Sequence, residues 1–271
     1  MAVASSPEVL GVLAHDLRWT IVGLLVPGDL RTSELVSRTG QAPSLVSYHL
    51  ARLRDAGLVS ARRSTADGRD SYHALDLDAL GQAMAGVATR IHPSLVDSGV
   101  RGDVPGPRQA MSGSRQEVPG LPRRGADRPG PIAQVLFICS GNSARSPMAA
   151  GWLNHLGAGR VTARSAGVTP RPLHPLAVAA MAEHGVDIGS HQATPLDTFA
   201  GHPFTRVITL CDRARENCGE LPDAPVAVHW SIPDPARAHP PDLDAFRATA
   251  RELRTRVRYL LPMLAEASAE A

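Results

Sequence analysis

The feature that most constrains this chain is a stretch whose composition opposes folding. From Ser98 to Pro131 it reads S-G-V-R-G-D-V-P-G-P-R-Q-A-M-S-G-S-R-Q-E-V-P-G-L-P-R-R-G-A-D-R-P-G-P. Gly and Pro dominate, and apolar residues recur at neither helical nor strand spacing, so too little apolar surface is available to offset chain entropy. The composition predicts a disordered linker over 98–131. As a flexible coil it would span about 30 Å root-mean-square. The remainder must then fold as two units, residues 1–97 and 132–271, each of ordinary domain size.

Charge says little about partners. Of 28 basic residues all are Arg, against 26 acidic ones. Nine Arg face ten acidic residues before Ser98, six face three in the linker, and thirteen face thirteen after it. Only the linker is net basic, so net charge makes no case for nucleic acid. No run of about 18 apolar residues is present, so no membrane span is expected. The start, M-A-V-A-S-S-P-E-V-L, lacks the pattern of a signal peptide, and a cytoplasmic chain is the expectation. The 3 Cys are too few for a disulfide scaffold and read as core thiols or as chemistry. The 11 His are scattered without metal-ligand spacing, so no metal site is expected.

In the first unit, Leu17, Ile21, Leu24 and Leu25 recur at helical spacing before Pro27-Gly28. T-S-E-L-V-S-R-T-G predicts a short helix with Thr32 as N-cap and Gly40 as stop. A third helix opens at Pro43, with Leu45, Val46, Leu50 and Leu53 on its buried face. Ser44, Ser47, Tyr48 and Arg52 then face outward. Two short helices joined by a tight turn make a helix-turn-helix. Two strands around Asp67-Gly68 add a wing carrying Arg62, Arg63 and Arg69.

The run V-S-Y-H-L-A-R-L-R-D-A-G-L-V resembles the recognition helix and wing of ArsR-type winged-helix repressors, and the similarity covers nearly all of residues 8 to 92. It implies a homodimer, formed through this domain, that reads operator DNA with paired recognition helices. Ser44, Ser47, Tyr48, Arg52 and the family-like His49 would contact bases or phosphates, and the wing Arg62, Arg63 and Arg69 would track the backbone. Two departures stand out. Arg31 and Ser33 occupy the places of a family Cys-x-Cys pair that binds trivalent arsenic. Pro43 and Leu45 stand where polar base-contacting residues are usual.

The second unit opens with V-L-F-I-C-S-G-N-S-A-R-S-P-M-A, Val135 to Ala149. Val135–Ile138 is a short apolar run of the kind that forms a buried parallel strand. Ser146-Pro147 starts a helix whose packed face is Met148, Trp152, Leu153 and Leu156. The loop between them, Ser140, Gly141, Asn142, Ser143 and Ala144, lies at a helix N-terminus, where backbone N–H groups and the helix dipole attract an anion. Gly141 permits a tight turn, and Asn142 tolerates left-handed backbone. Arg145 adds a planar fork for a tetrahedral oxyanion. The same field favours the thiolate of Cys139, with Ser146 as a hydrogen-bond donor to it. The pattern places a tetrahedral oxyanion directly against a nucleophilic sulfur.

C-S-G-N-S-A-R-S resembles the C-x5-R-S loop shared by low-molecular-weight protein tyrosine phosphatases and the arsenate reductases of the same fold. R-V-I-T-L-C-D-R-A-R-E-N-C-G, V-A-V-H-W-S-I-P-D-P, S-A-G at Ser165–Gly167 and H-P-L-A-V-A-A-M-A-E-H-G-V-D-I are similar to the thioredoxin-coupled reductases, over about Ile132 to Leu264. The resemblance implies a doubly wound parallel α/β sheet beside the mainly α winged helix. It also implies a relay. Cys139 attacks arsenate held by Arg145 and the loop amides, and Asp234 acts as general acid. Cys211 then releases arsenite by attacking Cys139, and Cys218 resolves the disulfide for an external dithiol such as thioredoxin. No bound cofactor is implied.

Alternatives remain open at this level. Pro147 is closer to the phosphatase loop, whereas Ala236 and Arg237 replace the Tyr pair that flanks a phosphotyrosine ring. A repressor using a degenerate oxyanion pocket as a sensor is a third reading. Ala144 replaces a Cys found in both families. Asn142 and Ser165 match a monovalent-cation site of some reductases, but Gln192 and Thr194 do not. His191 reads as a packing or surface histidine. The final helix turns Leu243, Phe246, Leu253, Val257 and Leu260 inward.

Overall fold

The computed structural model describes residues 6–66, 68–92, 133–217, 226–237 and 240–267. The linker expected over 98–131 and Cys218 lie outside the described residues. In the first unit, α1 (Ser6–Leu13), α2 (Asp16–Leu25), α3 (Thr32–Thr39), α4 (Pro43–Asp55) and α5 (Leu77–Ile91) surround a three-stranded antiparallel sheet. Its order is β1 (Leu30–Arg31), β3 (Ser71–Leu75), β2 (Val59–Arg63). Ile21, Leu35, Val46, Leu50 and Leu53 form its core.

Gly40 ends α3 in the left-handed region at φ 65°, as a C-cap glycine does. Two local expectations change. Arg31 rather than Thr32 is the N-cap of α3, because the Glu34 carboxylate already accepts from the Arg31 N–H at 2.8 Å. The Thr32 hydroxyl pairs instead with His73 Nε2 at 2.9 Å. Leu45 is 39% exposed, since the buried stripe of α4 runs Val46, His49, Leu50, Leu53.

In the second unit four parallel strands lie in the order β5 (Val161–Gly167), β4 (Ala133–Cys139), β6 (Arg206–Thr209), β7 (Val226–His229). The chain runs from β4 to one side and returns to the other, so β4 is the switch point of a doubly wound sheet, the position where such sheets bind ligands beyond the strand ends. Between strands come α6 (Arg145–Gly157), α7 (Pro175–Ala182) and α8 (Asp212–Asn217), and the chain closes with α9 (Leu243–Ala267) packed on α6 and α7. Phe246, Leu253 and Val257 of α9 are fully buried, and Leu260 nearly so. Burying one such side chain contributes about 1.5–3 kcal/mol, which fixes α9 over the helix that opens the site.

Candidate active site

Cys139 ends β4 and Arg145 begins α6, so the five residues between them form the expected loop at a helix N-terminus. Asn142 turns the loop with φ 48°. Its side chain is fully engaged. Nδ2 donates to Ser146 Oγ and Ser165 Oγ, both at 2.9 Å. Oδ1 accepts from Thr194 N at 2.8 Å and from His191 Nε2 at 3.1 Å. Four partners on three elements therefore hold a residue in a conformation that costs a non-glycine about 1–2 kcal/mol. Gly167, paired with Cys139 across β5 and β4, must lack a side chain, because a Cβ there would sit 2.8 Å from that of Asn142.

The loop carbonyls are turned away from the site. The carbonyls of Cys139, Ser140, Gly141 and Ser143 accept from the N–H groups of Val168, Thr169, Arg171 and His174 at 2.8–3.3 Å. With the carbonyls so engaged, the loop presents its amides to an anion, apart from that of Asn142, which is given to Cys139. Cys139, 2% exposed, accepts from Asn142 N at 3.2 Å and lies 3.0 Å from Ser146 Oγ. Arg145 is buried and donates to the Ile232 carbonyl at 3.1 Å and to Asp234 Oδ2 at 3.0 Å. Its fork is thus oriented by the segment that carries Ile232 and Asp234.

Cys211, at the end of the β6 strand path, faces the same cavity of about 550 Å³ as Cys139, Arg145 and Asp234. Its sulfur lies 3.2 Å from Ser140 Oγ and accepts from Ala214 N at 3.4 Å. Burial pushes the Cys211 thiol up, against the opposing pull of Arg145. Arg171, Arg213 and Arg237 also line the cavity, giving it a cationic wall. The arrangement has the donors to hold a tetrahedral oxyanion against one thiol, with a second thiol on the wall. No group of metal-ligating side chains forms among the described residues.

Of the residues assigned to DNA, Ser44, Ser47, Tyr48 and Arg52 form an exposed face of α4, and Arg63 and Arg69 are exposed on the wing. His49 is not on that face. It is 3% exposed, with its ring 4.2 Å from that of His15 and Nδ1 3.4 Å from Arg18. Arg62 is turned to the second unit, donating to the Ser231 carbonyl and lying 3.5 Å from Glu252.

That contact belongs to an interface the sequence did not announce. Asp29, 2% exposed, is held by both ends of Arg256 at 2.8 and 3.1 Å and by Ser231 N at 2.7 Å. Glu216 accepts from Ser64 and Tyr72, each at 3.0 Å, and Glu34 from Arg215 at 2.6 Å. Asp212 accepts from Thr65 N, Thr65 Oγ1 and Ser231 Oγ at 2.7–2.8 Å and pairs with His229 Nε2 at 3.1 Å. Burial alone would raise the Asp212 carboxyl, but donation from His229, Thr65 and Ser231 outweighs it and holds the group well below the usual carboxylate range.

A thiol, an oxyanion loop and a carboxylate at the switch point of a parallel sheet define an enzyme class built on a cysteine nucleophile. The family model described as low molecular weight phosphotyrosine protein phosphatase matches residues 134–270, and the chain belongs to that family. The bacterial regulatory protein, arsR family, model matches residues 15–61, so the chain is a fusion of an ArsR-type winged helix-turn-helix with this enzyme fold. It is similar to Arsenate reductase 2 of Staphylococcus epidermidis, 38% identical over 102 residues, which is 38% of this chain and 78% of that protein. An arsenate reductase of Staphylococcus aureus is 39% identical over the same shares. A glutaredoxin arsenate reductase of Synechocystis is 32% identical over 130 residues, 48% of this chain and 97% of that protein.

Proposed function

We propose that the chain reduces arsenate to arsenite by a thiol relay and that its winged helix binds operator DNA, the two together serving arsenic resistance in the cytoplasm. The observation that carries the reductase reading is Cys211 on the wall of the Cys139 cavity. A phosphatase has no use for a second thiol there, whereas a two-electron reduction needs one.

The steps balance as follows. The Cys139 thiolate attacks arsenic(V), and one arsenate oxygen leaves as water with a proton from Asp234. Cys211 then attacks the Cys139 sulfur. The electron pair of the sulfur–arsenic bond passes to arsenic, which departs as arsenite and leaves a Cys139–Cys211 disulfide. Cys218 attacks Cys211, freeing Cys139, and an external dithiol of the thioredoxin type reduces the Cys211–Cys218 bond. Arg145 and the loop amides carry the oxyanion charge throughout, the kind of preorganised stabilisation that contributes most to such reactions.

For the DNA-binding reading, the exposed Ser44, Ser47, Tyr48 and Arg52 on α4 supply the donors and acceptors of a recognition helix. Homodimerisation is supported by Leu10 on α1 and by Met84 and Ile91 on α5, helices that pack together and leave these side chains 43–70% exposed. The relay is tested by adding one equivalent of arsenate to the Cys218→Ser protein and mapping disulfides by mass spectrometry. A Cys139–Cys211 crosslink is expected. Hydrolysis of an aryl phosphate with no crosslink would replace the relay by phosphatase chemistry.

A further inference from the structure

The cavity that holds Cys139 is not built by one domain. Thr65, from the tip of the DNA-binding wing, lines it beside Cys211, Arg213 and Asp234. Thr65 also holds Asp212 twice, through its N–H at 2.7 Å and its hydroxyl at 2.8 Å. Asp212 follows Cys211 directly and opens α8, whose Ala214 N–H donates to the Cys211 sulfur at 3.4 Å. The wing therefore sets the position of the helix that in turn sets the second thiol. Ser64, 5% exposed, and Tyr72, 1% exposed, fasten the same wing to Glu216 of α8, and Arg62 fastens it to Ser231.

We propose that Thr65 is a positioning residue of the oxyanion pocket, and that pocket occupancy and DNA binding compete for the wing. The inference rests on the reading of the first unit as a DNA-binding domain. A wing laid along a phosphate backbone needs Arg62 and the wing tip free of the second unit. A wing docked on Asp212 has neither. An oxyanion that binds the completed pocket better than the open one favours docking and so disfavours DNA. Linkage makes the effect reciprocal: DNA must weaken oxyanion binding by the same factor. This gives the chain a route from oxyanion to operator without the missing Cys-x-Cys pair, whose places are held by Arg31 and Ser33.

The test is calorimetric titration of inorganic phosphate into the full chain, alone and saturated with a duplex spanning the DNA upstream of its own coding sequence. Phosphate affinity should fall about tenfold in the DNA complex, within the range of about 5–150-fold typical of coupling between two sites. DNA affinity should fall by the same factor in saturating phosphate. Thr65→Val should shrink the coupling and speed alkylation of Cys211 by iodoacetamide, and Thr65→Ser should restore both. Phosphate affinity unchanged by bound DNA would overturn the inference while leaving the DNA-binding reading intact. Coupling and Cys211 alkylation unaltered in Thr65→Val would also overturn it. A duplex that does not bind at all, with phosphate still binding, would bring down the DNA-binding reading and the inference with it.

Discussion

Asn142 lies in the left-handed backbone region at φ 48°, and its side-chain oxygen accepts from His191 Nε2 at 3.1 Å. An amide oxygen only accepts, so Nε2 carries the proton. A residue far along the chain thus holds the turn of the oxyanion loop. Asn142→Ala removes all four side-chain hydrogen bonds and keeps the unfavourable φ. Phosphate affinity should fall about tenfold or more, with about 2–6 kcal/mol of stability lost at about 0.5–1.5 kcal/mol per hydrogen bond. Calorimetry and thermal melting check both, and an unchanged affinity would show that the loop holds itself.

Arg145 offers a fork that a lysine cannot copy. Arg145→Lys keeps the charge but gives up the paired contacts to the oxyanion and the contacts to Ile232 and Asp234. Arsenate turnover should drop by about 10²–10³, the scale seen when one preorganised donor is lost. A drop of only twofold would mean that the amides alone carry the oxyanion.

The domain interface predicts its own weak point. Asp29 and Arg256 form a buried bidentate pair, and the Asp29 N–H donates to the His229 carbonyl at 2.7 Å. Asp29→Ala takes the bidentate partner from a mostly buried guanidinium and leaves it Glu252 at 3.2 Å, which costs about 1–3 kcal/mol. Gly28→Ala is expected to act at the same seam, since a Cβ there would meet the His229 carbonyl at 2.7 Å. In either variant limited proteolysis should release the two units from each other. Equal protease resistance to the parent would argue that the interface contributes little.

Acid should weaken the fold through the buried His73 and the half-buried His191. Burial, with Arg54 nearby, pushes His73 down to about 4, and burial also lowers His191. The folded protein keeps these rings neutral while the unfolded chain takes up protons below about 6.5. The unfolded state therefore binds more protons between about 6.5 and about 4, and stability falls as pH falls through that window. Denaturant melts at pH 7 and pH 5 measure this. His73→Gln should reduce the difference, and a pH dependence unchanged by it would place the acid sensitivity elsewhere.

What could be read from the sequence was what is local. Cys139 to Ser146 spans one strand end, one loop and one helix start, and that local geometry follows from the residue types alone. The recognition helix was legible for the same reason, although His49 belongs with Val46, Leu50 and Leu53 at helical spacing and its burial was already written in that pattern. Leu45 breaks the pattern and is exposed. What could not be read was the meeting of remote segments. Nothing near Asn142 names His191 or Thr194 as its partners, and nothing near Thr65 names Asp212, 147 residues away. The first contact depends on how a distant loop of the same unit returns to the oxyanion loop, the second on how the two units dock, and periodicity carries a signal for neither.

The central claim is tested most directly by arsenite production. The full chain is incubated with arsenate, thioredoxin, thioredoxin reductase and NADPH, beside Cys139→Ser, Cys211→Ser and Cys218→Ser. The relay predicts steady turnover in the parent and its loss in each variant. Arsenite production that survives Cys211→Ser would contradict it, because the thiol across the cavity from Cys139 would then have no part in the chemistry.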